Sequence, residues 1–177
     1  MANDYTTSTD AFADISEGSY TSSDYPVMAN LFTVASRLID GEFGRWAGFF
    51  YPTTDTVTYY YNGSNSDEQI LDEFVSISQV SVSENGGLSS TNYTDWTVGT
   101  DYLTKPYNAS NKGKPIDCLE LILFNGIKRA WYGFQKSVKV MGIAGYSATP
   151  PELVVQACKA QAVQWFMRAK MGWQTRQ

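Results

Sequence analysis

Two pairs of adjacent acids, Asp67–Glu68 and Asp72–Glu73, are the first residues whose types and spacing could do chemistry. General acid/base work needs one carboxyl set against a second titratable group. The chain has no histidine and no base stands close to these pairs in sequence, so they read as solvated acids beside turns. The lack of histidine also removes Ser-His-Asp and Cys-His nucleophiles and imidazole-bound zinc. Residues 62–68, NGSNSDE, have the flavour of a calcium loop but not the spacing or closing Glu of an EF-hand. The stretches AGFF, ENGG and GIAGYS match neither phosphate-cradling pattern, GxGxxG or GxxxxGK[ST]. Cys118 and Cys158 each fall in an apolar pattern; two buried thiols are the simpler reading, and a disulfide between them also fits. No catalytic residue, cofactor site or metal site is expected.

Charge is the next chemistry to account for. The net charge of −5 hides an asymmetry: residues 1–101 carry 15 acids and two bases, Arg37 and Arg45, for a net of −13. Residues 102–177 carry three acids and 11 bases, for a net of +8. The two halves can pair inside one molecule, meet across copies, or present the basic side to nucleic acid. Lys105, Lys112, Lys114, Lys128, Arg129, Lys136 and Lys139 interleave with Tyr107, Trp131, Tyr132 and Phe134. That set suits a DNA backbone or a solvated face equally.

The elements that must position these residues follow from periodicity. The length suits one domain with a sizeable core. Residues 1–24 are rich in Ser, Thr and Asp without Lys or Arg, a pattern for a flexible acidic arm that Phe12, Ile15 or Tyr20 could dock. A helix is predicted from Ser23–Pro26 to Gly41–Gly44, with Val27, Met28, Leu31, Val34, Ala35, Leu38 and Ile39 on one wide apolar face. Trp46, Phe49, Phe50 and Tyr51 follow as core or interface. From Thr56 to Leu123 the period is that of strands: TVTYYYNG, then EFVSISQVSVSENGG with a bulge near Ser78–Gln79, then DWTVGTDYLTKP halted by Pro106. The loop YNASNKGKP is predicted exposed and mobile, and Leu119, Leu121 and Leu123 are predicted to share one strand face. A last strand over 134–146, with Phe134, Val138 and Val140 inward, turns at SATPP into a helix over 152–171, where Thr149 and Glu152 have capping-box spacing. The predicted class is α+β: an N-terminal amphipathic helix, an antiparallel β region and a C-terminal helix. Residues 25–171 make one domain between the arm and a tail, 172–177, which Gly172 opens. No apolar run suits a membrane span or signal peptide, so a soluble intracellular protein is expected.

The C-terminal helix carries two apolar lines at about 100° per residue. Val154, Val155, Cys158, Ala162, Trp165, Phe166 and Ala169 form the wide one; Leu153, Ala157, Ala160, Met167 and Met171 form a narrower one between polar stripes. The narrow line is either core of the same molecule or a contact with a neighbouring subunit. Beyond it, Trp173 is an apolar anchor in a tail that also holds Arg176.

In order, VASRLIDGEFGRWAGFFYP, EFVSISQVSV, VGTDYLTKPYN and VKVMGIAGYSATPPELVVQACKAQAVQWFMR resemble the head-tail connector (adaptor, or head completion) proteins of tailed bacteriophages. The elements that match are Gly44–Arg45–Trp46 after an amphipathic helix, Asp101–Tyr102 with Pro106, Gly142 with Gly145–Tyr146, and Pro150–Pro151 before the final helix. They span about residues 27–171; the N-terminal arm is longer and more acidic than the usual pattern. The resemblance implies a structural, non-enzymatic virion protein of the neck, assembled in the host bacterial cytoplasm. It implies a ring, dodecameric on the portal, that extends the DNA channel and offers a platform to the next neck or tail-completion protein. Under it, Arg168, Lys170, Trp173 and Arg176 would contact the portal protein, the narrow apolar line would be the subunit interface, and Lys112, Lys114, Lys128 and Arg129 would face the channel with only weak non-specific DNA contact. The alternative from another class is a β-rich module that binds carbohydrate or protein through Tyr59–Tyr61 and Trp96 on a sheet.

Overall fold

The computed structural model describes residues 3–7, 21–87, 92–123 and 128–174, the last four as backbone only. Among the described residues, two α-helices and a six-stranded antiparallel sheet make up an α+β fold: α1 Asp24–Glu42, β1 Val57–Tyr61, β2 Glu68–Val82, β3 Thr94–Trp96, β4 Tyr102–Lys105, β5 Ile116–Leu121, β6 Val138–Ala144 and α2 Glu152–Gln174. Contacts divide it into two compact units, a helical one of Met1–Thr53 with Thr149–Gln177 and a sheet unit of Thr54–Ala148. The predicted single domain thus contains two cores.

In the helical unit, α1 turns Met28, Phe32 and Ala35 inward against Cys158, Ala162 and Phe166 of α2. The helices run antiparallel, because Lys170 Nζ meets Asp24 Oδ2 at 2.9 Å while Cys158 Sγ lies 3.4 Å from Ser36 Oγ. Helix α2 begins after the proline pair, and the Pro151 carbonyl accepts from the Val154 and Val155 amides at 2.9 and 3.0 Å. It does not stop at Gly172 but runs to Gln174. A glycine inside a helix costs only about 1 kcal/mol relative to alanine, so it does not by itself end one.

The sheet order is β1-β6-β2-β5-β4, with β3 on β2. Long β2 pairs β6 along one edge; its other edge pairs β5 through Phe74 and β3 from Val80. The register shifts twice against β6, once between Phe74 and Ser76 and once between Ile77 and Gln79, where the phase change predicted a bulge. Gly142 sits opposite: a Cβ there would lie 2.2 Å from the Ser76 carbonyl oxygen, so the close approach of the strands requires glycine. Phe74, Val80, Val82, Trp96, Tyr102, Leu119, Leu121, Trp131, Val138 and Val140 are buried together.

Four sequence readings are corrected. Strand β2 starts at Glu68 rather than Glu73, since Gln69 and Leu71 already alternate inward. The predicted strand over 95–106 is two, β3 and β4; Gly99 at φ +79° and an Asp101 carboxylate that accepts from the Thr97 amide at 2.7 Å build a turn between them. Strand β6 begins only at Val138, because Lys136 takes a positive φ; Phe134 is therefore exposed and Ser137 buried. Leu123 lies beyond the end of β5 and is exposed, unlike Leu119 and Leu121. The loop 107–115 contains a 3-10 turn, Ser110–Lys112, with Ala109 buried under it.

Candidate subunit interface

The two lines of α2 part company in the structure. Cys158, Ala162 and Phe166 are buried, with Val154, Val163, Trp165 and Met167 packed at their margin; Ala169, expected with them, is exposed. On the narrow line Leu153 is 84 % exposed, and Ala157 and Ala160 are exposed as well. Met167 belongs to the margin of the helical core instead, and the Met171 side chain lies outside the described residues. Three of the five interface residues read from sequence therefore form an outward apolar strip on one face.

The proposed portal contacts divide similarly. Arg168 is exposed. Lys170 is engaged within the chain, paired with Asp24 and placed 5.2 Å from the Phe166 ring centroid. Asp24 also accepts from the Thr21 amide, and that bond first, then Lys170, holds its carboxyl below the ordinary range. The side chains of Trp173 and Arg176 fall outside the described residues, although 172–174, read as tail, belong to α2.

The basic residues assigned to the channel are not alike. Lys112, Lys114 and Arg129 are exposed. Lys128 is tied to the sheet, 3.9 Å from Glu84 and 5.3 Å from the Trp96 ring centroid. Lys105 lies 2.6 Å from Glu68 and 2.9 Å from Glu120, which raise its pKa further, while Tyr107 donates to Glu120. Part of the charge asymmetry is thus spent inside the molecule.

Asp67–Glu68 lies where the bend at residues 65–67 enters β2, beside a turn as read from sequence, whereas Asp72–Glu73 lies inside β2. Glu68 holds Lys105, and Asp72 accepts from the Tyr61 hydroxyl at 3.1 Å. Among the described residues, no group of three or more His, Cys, Asp or Glu is placed to hold a metal, and no helix is long and apolar enough to cross a membrane. Both cysteines are free, and burial raises the Cys158 thiol's pKa. The aromatic platform of the alternative reading loses Trp96, which is 5 % exposed and stacks on Trp131 at 4.8 Å; of Tyr59–Tyr61, only Tyr60 is exposed.

Sequence reasoning missed the anchor of the N-terminal arm. Residues 3–5 lie on α1: Asn3 accepts from Arg37 at 2.7 Å, and Tyr5 is 2 % exposed. The Tyr5 hydroxyl donates to buried Asp40, whose other oxygen accepts from the Gly48 amide at 2.8 Å and lies 3.4 Å from Arg37 Nε. The latch thereby joins the arm to the turn after α1, where Gly44 takes φ +63° and Arg45 covers the Phe49 ring at 4.4 Å. The sequence pattern set Asp40 with Asn30, Thr33 and Arg37 on the polar side of α1, and the structure corrects this: Asp40 is 2 % exposed, facing Tyr5 and the turn after the helix. Phe12, Ile15 and Tyr20 lie outside the described residues.

No family model matches this chain, and no curated protein matches it. Among solved structures it is similar to a chain from the neck of an empty GTA particle computed with C6 symmetry. That match has 14 % identity and a TM-score of 0.46, and covers 94 % of this chain and 84 % of the other.

Proposed function

We propose that this protein is a structural head-tail connector of a tailed phage. In this reading it forms a ring under the portal that continues the DNA channel and receives the next neck or tail-completion protein. The observation that carries the reading is the apolar strip Leu153–Ala157–Ala160, which faces outward on a helix whose other side packs into its own core through Cys158, Ala162 and Phe166. A leucine at 84 % exposure in line with two exposed alanines gives that face a small apolar strip for a neighbouring copy to cover. The ordered elements that resemble the connector family each have a structural task here. Gly44–Arg45–Trp46 closes α1, Asp101 makes the turn before β4, Gly142 admits the β2 bulge, and the proline pair starts α2.

The role is scaffolding rather than catalysis. Arg168, with Trp173 and Arg176, would meet the portal, and Lys112, Lys114 and Arg129 would line the channel. Passage of DNA favours weak, sequence-independent contact there. Electron microscopy of the protein mixed with its portal tests the reading. Rings coaxial with the portal support it; single particles that leave the portal bare and bind glycans instead would replace it with the binding-module reading.

A further inference from the structure

The wide apolar face predicted for α1 is two faces. Met28, Phe32 and Ala35 point into the helical core. Val27, Val34 and Leu38 point outward at 48, 55 and 42 % exposure, and half-buried Leu31 lies in line with them. Residues 27, 31, 34 and 38 follow the 4-3-4 spacing of a coiled-coil seam over about 16 Å of helix. The outward line of α2 has the same 4-3 spacing in Leu153, Ala157 and Ala160, with Gln164 next on that face, while Met167 packs at the margin of the helical core.

We infer that these two lines are the complementary halves of one interface between copies, α1 of one subunit packing on α2 of the next. The inference deepens the connector reading, because a ring needs two different faces on every subunit. Size favours the match: one line carries branched knobs, the other alanines that leave room for them at helix separations of about 8–10 Å. Charge favours it too. Helix α1 carries three acids and one base, net −2, whereas α2 carries one acid and three bases, net +2. Asp24 is already paired with Lys170 and buried Asp40 with Arg37 inside the chain, so the contrast outside those pairs is Glu42 on α1 against Glu152, Lys159 and Arg168 on α2, still opposite in sign.

Two variants, one on each face, test this by sedimentation velocity. Val34→Asp spoils the α1 line and Ala157→Asp the α2 line; both positions are exposed, so each variant keeps the wild-type fold by circular dichroism. Leu38→Ser and Leu153→Ser are the milder pair should either aspartate variant unfold. Wild type self-associates as concentration rises, and each variant alone stays monomeric. Mixed one to one, the two variants form a heterodimer that grows no further, since it holds one intact α1–α2 contact and two spoiled faces.

Homodimers of a single variant would overturn the inference in favour of a symmetric contact. So would a mixture that stays monomeric while wild type assembles, or a wild type that remains monomeric to about 1 mM. Portal-docked rings that both variants still form would leave the connector reading standing and remove this interface. A bare portal beside a working heterodimer would do the reverse.

Discussion

Replacing Tyr5 with phenylalanine removes one oxygen from a site that water does not reach, and the structure sets the size of the effect. The hydroxyl donates to the Asp40 carboxylate and accepts from the Phe50 amide at 3.3 Å. A hydrogen bond to a charged group contributes about 1.5–3 kcal/mol. Asp40 keeps the Gly48 amide and the Arg37 guanidinium, so its charge is not left bare; the loss belongs near the lower part of that range, about 2 kcal/mol. For a chain of this size that is a fall of about 4–8 °C in Tm. Urea unfolding followed by circular dichroism should show a lower midpoint at an unchanged m-value. Tyr60→Phe, at a hydroxyl on an exposed ring, should stay within about 0.5 kcal/mol of wild type. If Tyr5→Phe is as stable as Tyr60→Phe, the arm is not latched through Asp40, and the turn after α1 must be held by its backbone bonds alone.

Other expected outcomes follow from the same geometry. Burial raises the phenol pKa of Tyr5 above its ordinary 10.0 and that of Tyr102 to about 12. Each contributes stability that is whole below pH 10 and lost as pH climbs through the folded pKa, so alkaline unfolding between pH 10 and 12 should weaken in slope for Tyr102→Phe. Gly142→Ala should destabilise by about 1–3 kcal/mol or more, read by thermal melting, because its methyl would meet the Ser76 carbonyl at 2.2 Å. Self-association should weaken from 0.1 to 1 M salt if the opposed helix charges matter, as screening shortens to about 3 Å; unchanged association in a sedimentation series would leave a purely apolar seam. Deleting residues 172–177 should leave Tm intact, since Phe166 and the Lys170–Asp24 pair remain, while portal binding, measured by co-sedimentation, should drop sharply.

The class of fold was legible because periodicity survives burial: α1, β2, β6 and α2 each carry a clean stripe. What escaped was set by neighbours distant in sequence. Glu68–Asp72 looks polar and turn-like until β5 pairs beside it and Lys105 answers Glu68. Trp96 and Tyr60 are both aromatic residues in strands, yet only the partner Trp131 decides that the first is core. The outward apolar strip proposed as an interface was half legible: Leu153, Ala157 and Ala160 broke the rule of one apolar face per helix. The line Val27–Leu31–Val34–Leu38 was hidden because it adjoins the core residues Met28, Phe32 and Ala35 on the same wide face. Tyr5 could not be placed at all, since nothing in an acidic arm marks one tyrosine for burial.

Native mass spectrometry of the protein bound to its portal addresses the central claim most directly, because it counts copies. The connector account predicts a single closed assembly with one copy per portal subunit and no partly filled intermediates at saturation. A complex that saturates at one or two copies per portal, or a protein that stays monomeric beside an intact portal, would contradict it.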